Sequence, residues 1–170
     1  MLAFLFRGLT AEAPRGAALF DALTQEARRP DWYVDGGVPD TFDGRFAVLA
    51  TVTALALVRL ERDGEAGNRA SVALTERFVE VMESEHRQLG IGDPTLGRVV
   101  RKLVGMVARR TDLWRAALTS GAEWTAPTRE SLYKSEVPDR ALRHSAEALH
   151  ALWQRLDGAS LDRLQDGEIG

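Results

Sequence analysis

The sequence contains no cysteine. That absence excludes disulfides, thiolate zinc sites, iron–sulfur ligation and cysteine nucleophiles together. Histidine is scarce, with 3 in 170 residues, which leaves little material for a His-rich metal site. A basic excess is also missing: 22 Lys and Arg stand against 25 Asp and Glu, for a net charge of −3. Proteins that coat nucleic acid with their whole surface carry such an excess, so no DNA partner is expected. The longest uncharged run, Phe46 to Val58, is shorter than the roughly 20 apolar residues that a membrane-spanning helix needs. The opening MLAFLFRGL places Arg7 after its apolar run, whereas an export signal places positive charge before it. The expected location is the cytoplasm, with peripheral contact to the inner membrane surface. Nucleophile-elbow, P-loop and dinucleotide glycine motifs are all missing, so neither an enzymatic activity nor a cofactor is expected.

What the sequence does have is helix-forming Ala, Leu, Arg and Glu, and no clean period-2 alternation bounded by turns. The pattern predicts an all-α fold: a single compact bundle of about five to six helices around a central apolar helix near 42–62. Residues 1–15 read as a mobile lead, 16–157 as the helical domain, and 158–170 as an acidic, frayed tail. Predicted helices cover 16–28, 42–62, 71–89, 94–118, 129–135 and 138–156. The Trp32 and Tyr33 loop is expected to pack rather than float. Asp40 or Thr41 can cap the second helix, and GEAGN (64–68) reads as a mobile loop. Gly90 suits the residue after a helix end, and Asp93-Pro94 reads as an N-cap followed by proline at the first helical position.

Three constellations could carry function. Glu83 with His86, and Glu147 with His150, repeat the Glu-x-x-His spacing of di-iron bundles, which would make the chain a helical metal-dependent enzyme. The two remaining helices of such a bundle should each supply a Glu. Phe46 to Leu60 and Thr95 to Leu118 contain none. The segment GGVPDTFDGR combines glycine, proline and side chains that bond backbone N–H groups, and so forms a rigid turn into a helix, either a cap or a recognition loop. GIGDP is a second such turn. At about 100° per residue, Arg98, Arg101, Lys102 and Arg109 share one face, opposite Val99, Val100, Leu103, Met106, Val107, Trp114 and Leu118. This stripe is either a phosphate-binding face, for RNA backbone or anionic lipid, or a solvated face balanced by Glu76, Glu80, Glu83 and Glu85.

ARRPDWYVDGGVPDTFDGRF, VRLERDG, RQLGIGD and RRTDLWRAAL, in that order and spacing, resemble the ubiquinol–cytochrome c chaperone family. The strongest part is the block Gly37 to Phe46. The chain departs from the family pattern at Val52, at His86-Arg87-Gln88-Leu89 and at Ala108-Arg109-Arg110, as a divergent bacterial member would. The resemblance implies a non-enzymatic assembly factor for the cytochrome bc1 complex. Its client would be newly made cytochrome b, and it would work with a small partner assembly protein near the ribosomal exit tunnel. Gly37, Val38, Pro39, Asp40, Thr41, Asp43, Gly44 and Arg45 would then form the shared, partner-binding loop. Gly90, Gly92 and Asp93 would form the second family turn. The basic face is a candidate contact for ribosome, membrane or client. Such a chaperone needs an exposed apolar surface, expected near Phe4, Leu5 and Phe6 or around Trp32 and Tyr33.

Overall fold

The computed structural model describes residues 16–170. The lead at 1–15, and Phe4, Leu5 and Phe6 with it, lie outside the described residues. Helices α1 (Ala17–Ala27), α2 (Asp31–Val34), α3 (Phe42–Leu60), α4 (Gly64–Gln88), α5 (Asp93–Ser120), α6 (Thr125–Leu132), α7 (Asp139–Gly158) and α8 (Leu161–Gln165) follow in order, with a 3-10 turn at Glu61–Asp63. Among these residues there is no strand. No helix is long and apolar enough to cross a membrane.

A helix that is apolar on every side must be surrounded. In α3 every residue from Phe46 to Leu60 is buried except Leu49 and Leu57, which are half-buried. Helices α1, α4, α5, α6 and α7 all pack on it. Each brings one apolar stripe, as amphipathic helices do. From α5 come Val100, Leu103, Val107 and Trp114, and from α7 Leu142, Ala146, Leu149, Leu152 and Trp153. The polar needs of α3 are met locally and at its ends. Thr51 donates to Ala47 O at 2.7 Å. The Thr41 hydroxyl accepts from Gly44 N at 3.2 Å, which makes Thr41 the N-cap. At the other end, buried Arg59 donates to Leu156 O (3.1 Å) and Ala159 O (2.7 Å) and pairs with Asp63. It thereby satisfies carbonyls at the end of α7.

Four expectations change. GEAGN is not a loop: α4 starts at Gly64. Gly67 sits against the preceding turn, where an added Cβ would come within 1.9 Å of Leu60 O. The glycines there permit close packing of α3 and α4, a role that looks like loop composition in sequence. The cap of α5 is Gly92, in extended conformation, not Asp93, which is already helical and exposed. The short helix lies at Thr125–Leu132, earlier than 129–135. The segment after 158 is not frayed. Ser160 caps α8 by accepting from Arg163 N, Arg163 pairs with Glu168, and Leu164 and Ile169 are buried. Acidic composition hid that apolar pair.

Leu164→Ala should cost about 2–3 kcal/mol, as a buried Leu truncation does, whereas a frayed tail would register nothing in urea unfolding. Gly44→Ala should destabilise by at least a comparable amount. Its Cβ would fall 1.9 Å from Pro39 O, backbone that cannot swing aside as a side chain can.

Candidate functional site

The turn before α3 is built from buried anchors. Trp32 is buried, with Nε1 donating to Glu26 O at 2.8 Å. The half-buried Tyr33 hydroxyl donates to Ala27 O at 2.7 Å, and burial raises its pKa. Both rings therefore pack as expected and do not supply the exposed patch. The chain then folds back, with Gly36 N donating to Asp31 O (2.8 Å) and Val38 N to Trp32 O (3.0 Å). Val38 is buried, and Gly37 takes a left-handed φ of 63°. From the far side the Tyr133 hydroxyl donates to Gly36 O at 2.6 Å and accepts from buried Ser145 at 2.7 Å. Tyr133 and Ser145 are parts of this turn that sequence reasoning missed. They lie some 97 and 109 positions away from it, and no local pattern marks them.

The charged residues of the loop point outward. Asp40 accepts from Arg45 Nε at 2.6 Å, which holds its carboxyl below the usual range and raises Arg45. Asp43 accepts from Lys134 Nζ at 2.7 Å, and its carboxyl is likewise lowered, with Lys102 adding to the effect. So the block splits in function: Val38, Thr41 and Gly44 build the turn, Pro39 lends its carbonyl to the close approach of Gly44, and Asp40, Asp43 and Arg45 face water.

That outer side borders a groove of about 850 Å³ between α1, α2, the start of α3 and α4. Phe20, Tyr33, Phe46, Leu49, Val81 and Met82 contribute its apolar lining. Phe20 and Phe46 each lie 6.3 Å from buried Phe78. At the rim stand Val34 and Phe42, exposed at 77% and 53% of their surfaces. Charges of both signs complete the rim: Arg28, Arg45 and Arg77 with Asp21, Asp40 and Glu85. Sequence reasoning named Asp40 and Arg45 but not the groove, because its walls come from four separate elements.

The second turn is a helix stop. Gly90 N donates to Arg87 O (3.0 Å) and Ile91 N to His86 O (3.2 Å), the Schellman pattern, with Gly90 at φ 82°. Gly90, Gly92 and Asp93 are exposed and lie outside the groove lining.

The two Glu-x-x-His pairs do not converge. His86 is buried, with Nδ1 donating to Met82 O at 2.8 Å and its ring edge against Phe42. His150 is exposed and lies against Trp124, 4.8 Å away. Among the described residues no three His, Cys, Asp or Glu side chains gather where one ion could join them.

Arg98, Arg101, Lys102 and Arg109 are all exposed on α5, and none forms an ion pair among the described residues. The α4 glutamates do not balance them: Glu80 pairs with Arg77 on its own helix. Neighbouring Arg110 turns inward to Ser131 O and Met106 O, and its burial lowers its pKa.

No curated protein matches the chain. A crystal structure of the Cbp3 homolog from Brucella abortus is similar to it, with a TM-score of 0.76 and 26% identity, covering 100% of this chain and 96% of that one. The sequence profile described as ubiquinol-cytochrome C chaperone matches residues 34–169, which take in the turn before α3, every helix that packs on it and the docked C-terminal segment. The chain belongs to the ubiquinol-cytochrome C chaperone family.

Proposed function

We propose that this chain binds newly made cytochrome b and supports assembly of the bc1 complex, without transforming a substrate. Family membership supports the assembly role. The observation that carries the client-binding reading is the groove: an apolar lining with Val34 and Phe42 left exposed at its rim. A protein in water exposes adjoining large apolar side chains where something covers them. The occupant in this reading is an apolar segment of cytochrome b, held while its own partners are absent.

The energetics suit a temporary hold. Each apolar side chain moved from water into the groove gains about 1.5–3 kcal/mol. Association itself costs about 4 kcal/mol or more. Two or three anchors therefore give a weak, reversible grip, which a client can leave once better-packed contacts form. The mixed charges at the rim discriminate little between sequences, in keeping with a client recognised by its apolar character. The Gly37–Arg45 turn serves this reading by fixing where α3 begins, and so where Phe42 and Arg45 stand.

Val34→Asp with Phe42→Asp should abolish co-purification of cytochrome b and lower the bc1 haem spectrum as far as deletion of the chain does. Both positions are exposed, and Asp suits the first turn of α3, so each should change stability by no more than about 0.5 kcal/mol. Unchanged bc1 spectra after deletion, with no cytochrome b in native pull-downs, would reject the reading.

A further inference from the structure

The cations of this protein are mostly spoken for. Exposed Arg45, Arg62, Arg69, Arg115, Arg129, Arg163 and Lys134 each have a carboxylate partner. Against that pattern, and in a chain with a net charge of −3, the stripe on α5 stands out: four exposed cations with no ion pair among the described residues. From Arg98 to Arg109 the stripe runs about 16 Å along a straight helix. The acidic groups of α5 itself lie at its two ends. Asp93 stands near Arg87, and Asp112 pairs with Arg115. The carboxylate facing the middle is Asp43, which also neighbours Lys102 but is held by Lys134. Two lysines thus share one carboxylate, and the face stays positive.

We infer that this face of α5 docks on the anionic headgroups of a lipid surface. A line of cations on one helix matches a plane of negative charge. The α4–α5 corner just ahead of the stripe adds Leu89, exposed at 71%, an apolar residue of the kind that enters the interfacial layer. Single-stranded RNA would ask instead for aromatic side chains interleaved with the cations, and the exposed positions of α5 are Arg, Lys, Ala, Thr, Pro, Asp and Ser. None of the groove lining comes from α5, so a docked molecule leaves the groove open. The inference does not rest on the cytochrome b reading.

The test is co-sedimentation of the full chain with phosphatidylcholine vesicles, with or without phosphatidylglycerol, over a salt series. Binding is expected to the anionic vesicles alone and to weaken with salt. Each neutralised cation should lower partitioning about fivefold, so R98Q/R101Q/K102Q should lose about a hundredfold with its helical circular dichroism intact. Leu89→Ser should weaken binding without changing the salt slope. Arg69→Gln, at a cation already paired on α4, should bind as wild type. Equal binding to neutral vesicles, or full binding by the triple variant, would overturn the inference. So would a single-stranded RNA oligonucleotide that displaces vesicles from the wild type and needs the same three cations, which would make the stripe a nucleic-acid face. Because lipid binding is read without cytochrome b, its failure is distinct from failure of the client reading.

Discussion

The burial of α3 on every side is the constraint from which the rest follows. A helix with no wet face cannot place a polar side chain along its length without a partner, so the polar work moves to its ends. At the N-terminal end this work takes the form of the Thr41 cap and the close approach of Gly44 to Pro39 O. At the C-terminal end it takes the form of Arg59, whose guanidinium reaches carbonyls of Leu156 and Ala159. The two ends therefore differ in kind. One holds a stiff turn that leaves Asp40, Phe42 and Arg45 outside, and the other locks the last helices in place.

The helices themselves were legible because period-3.6 patterning reports burial directly. The apolar stripes of α5 and α7, the all-round apolarity of α3 and the cap at Thr41 all read correctly from sequence. What did not read shares one cause: a composition that stands for two different physical situations. Glycines at 64 and 67 look like a loop, yet they let α3 and α4 approach. Acidic residues after 158 look like a frayed end, yet Leu164 and Ile169 among them are buried. Asp93 before a proline looks like a cap, but Gly92 takes the extended conformation first. In each case a tertiary contact decides, and a local window does not contain it.

The candidate site divides along the same line. The conformation of the Gly37–Arg45 turn was visible in its Gly, Pro, Asp and Thr content, whereas the groove beside it was not. Grooves are made of surfaces from separate elements, and Phe20, Tyr33, Phe42 and Val81 come together only after α1, α2, α3 and α4 have packed. Tyr133 and Ser145, which steady Gly36 from α6 and α7, are equally silent in sequence. The family resemblance reached the turn without reaching the reason for it. The turn is rigid because buried Trp32 and Val38 lie beneath it, and it matters to the groove because Phe42 follows it directly.

Rigidity and weak grip are not in conflict here. A soft binding surface loses entropy each time it closes on a client, and that cost falls on every capture. A groove whose walls are helices already packed around α3 carries that ordering cost in the fold itself. Its contacts with a client can then be few and still suffice. Few contacts also leave quickly, since most differences in affinity appear in the dissociation rate. The same logic explains why the exposed apolar area is confined to Val34 and Phe42 at the rim, with the larger rings of Phe46 and Phe78 set below. A wider apolar face would hold a client harder than a temporary companion should, and it would also invite a second copy of the chain.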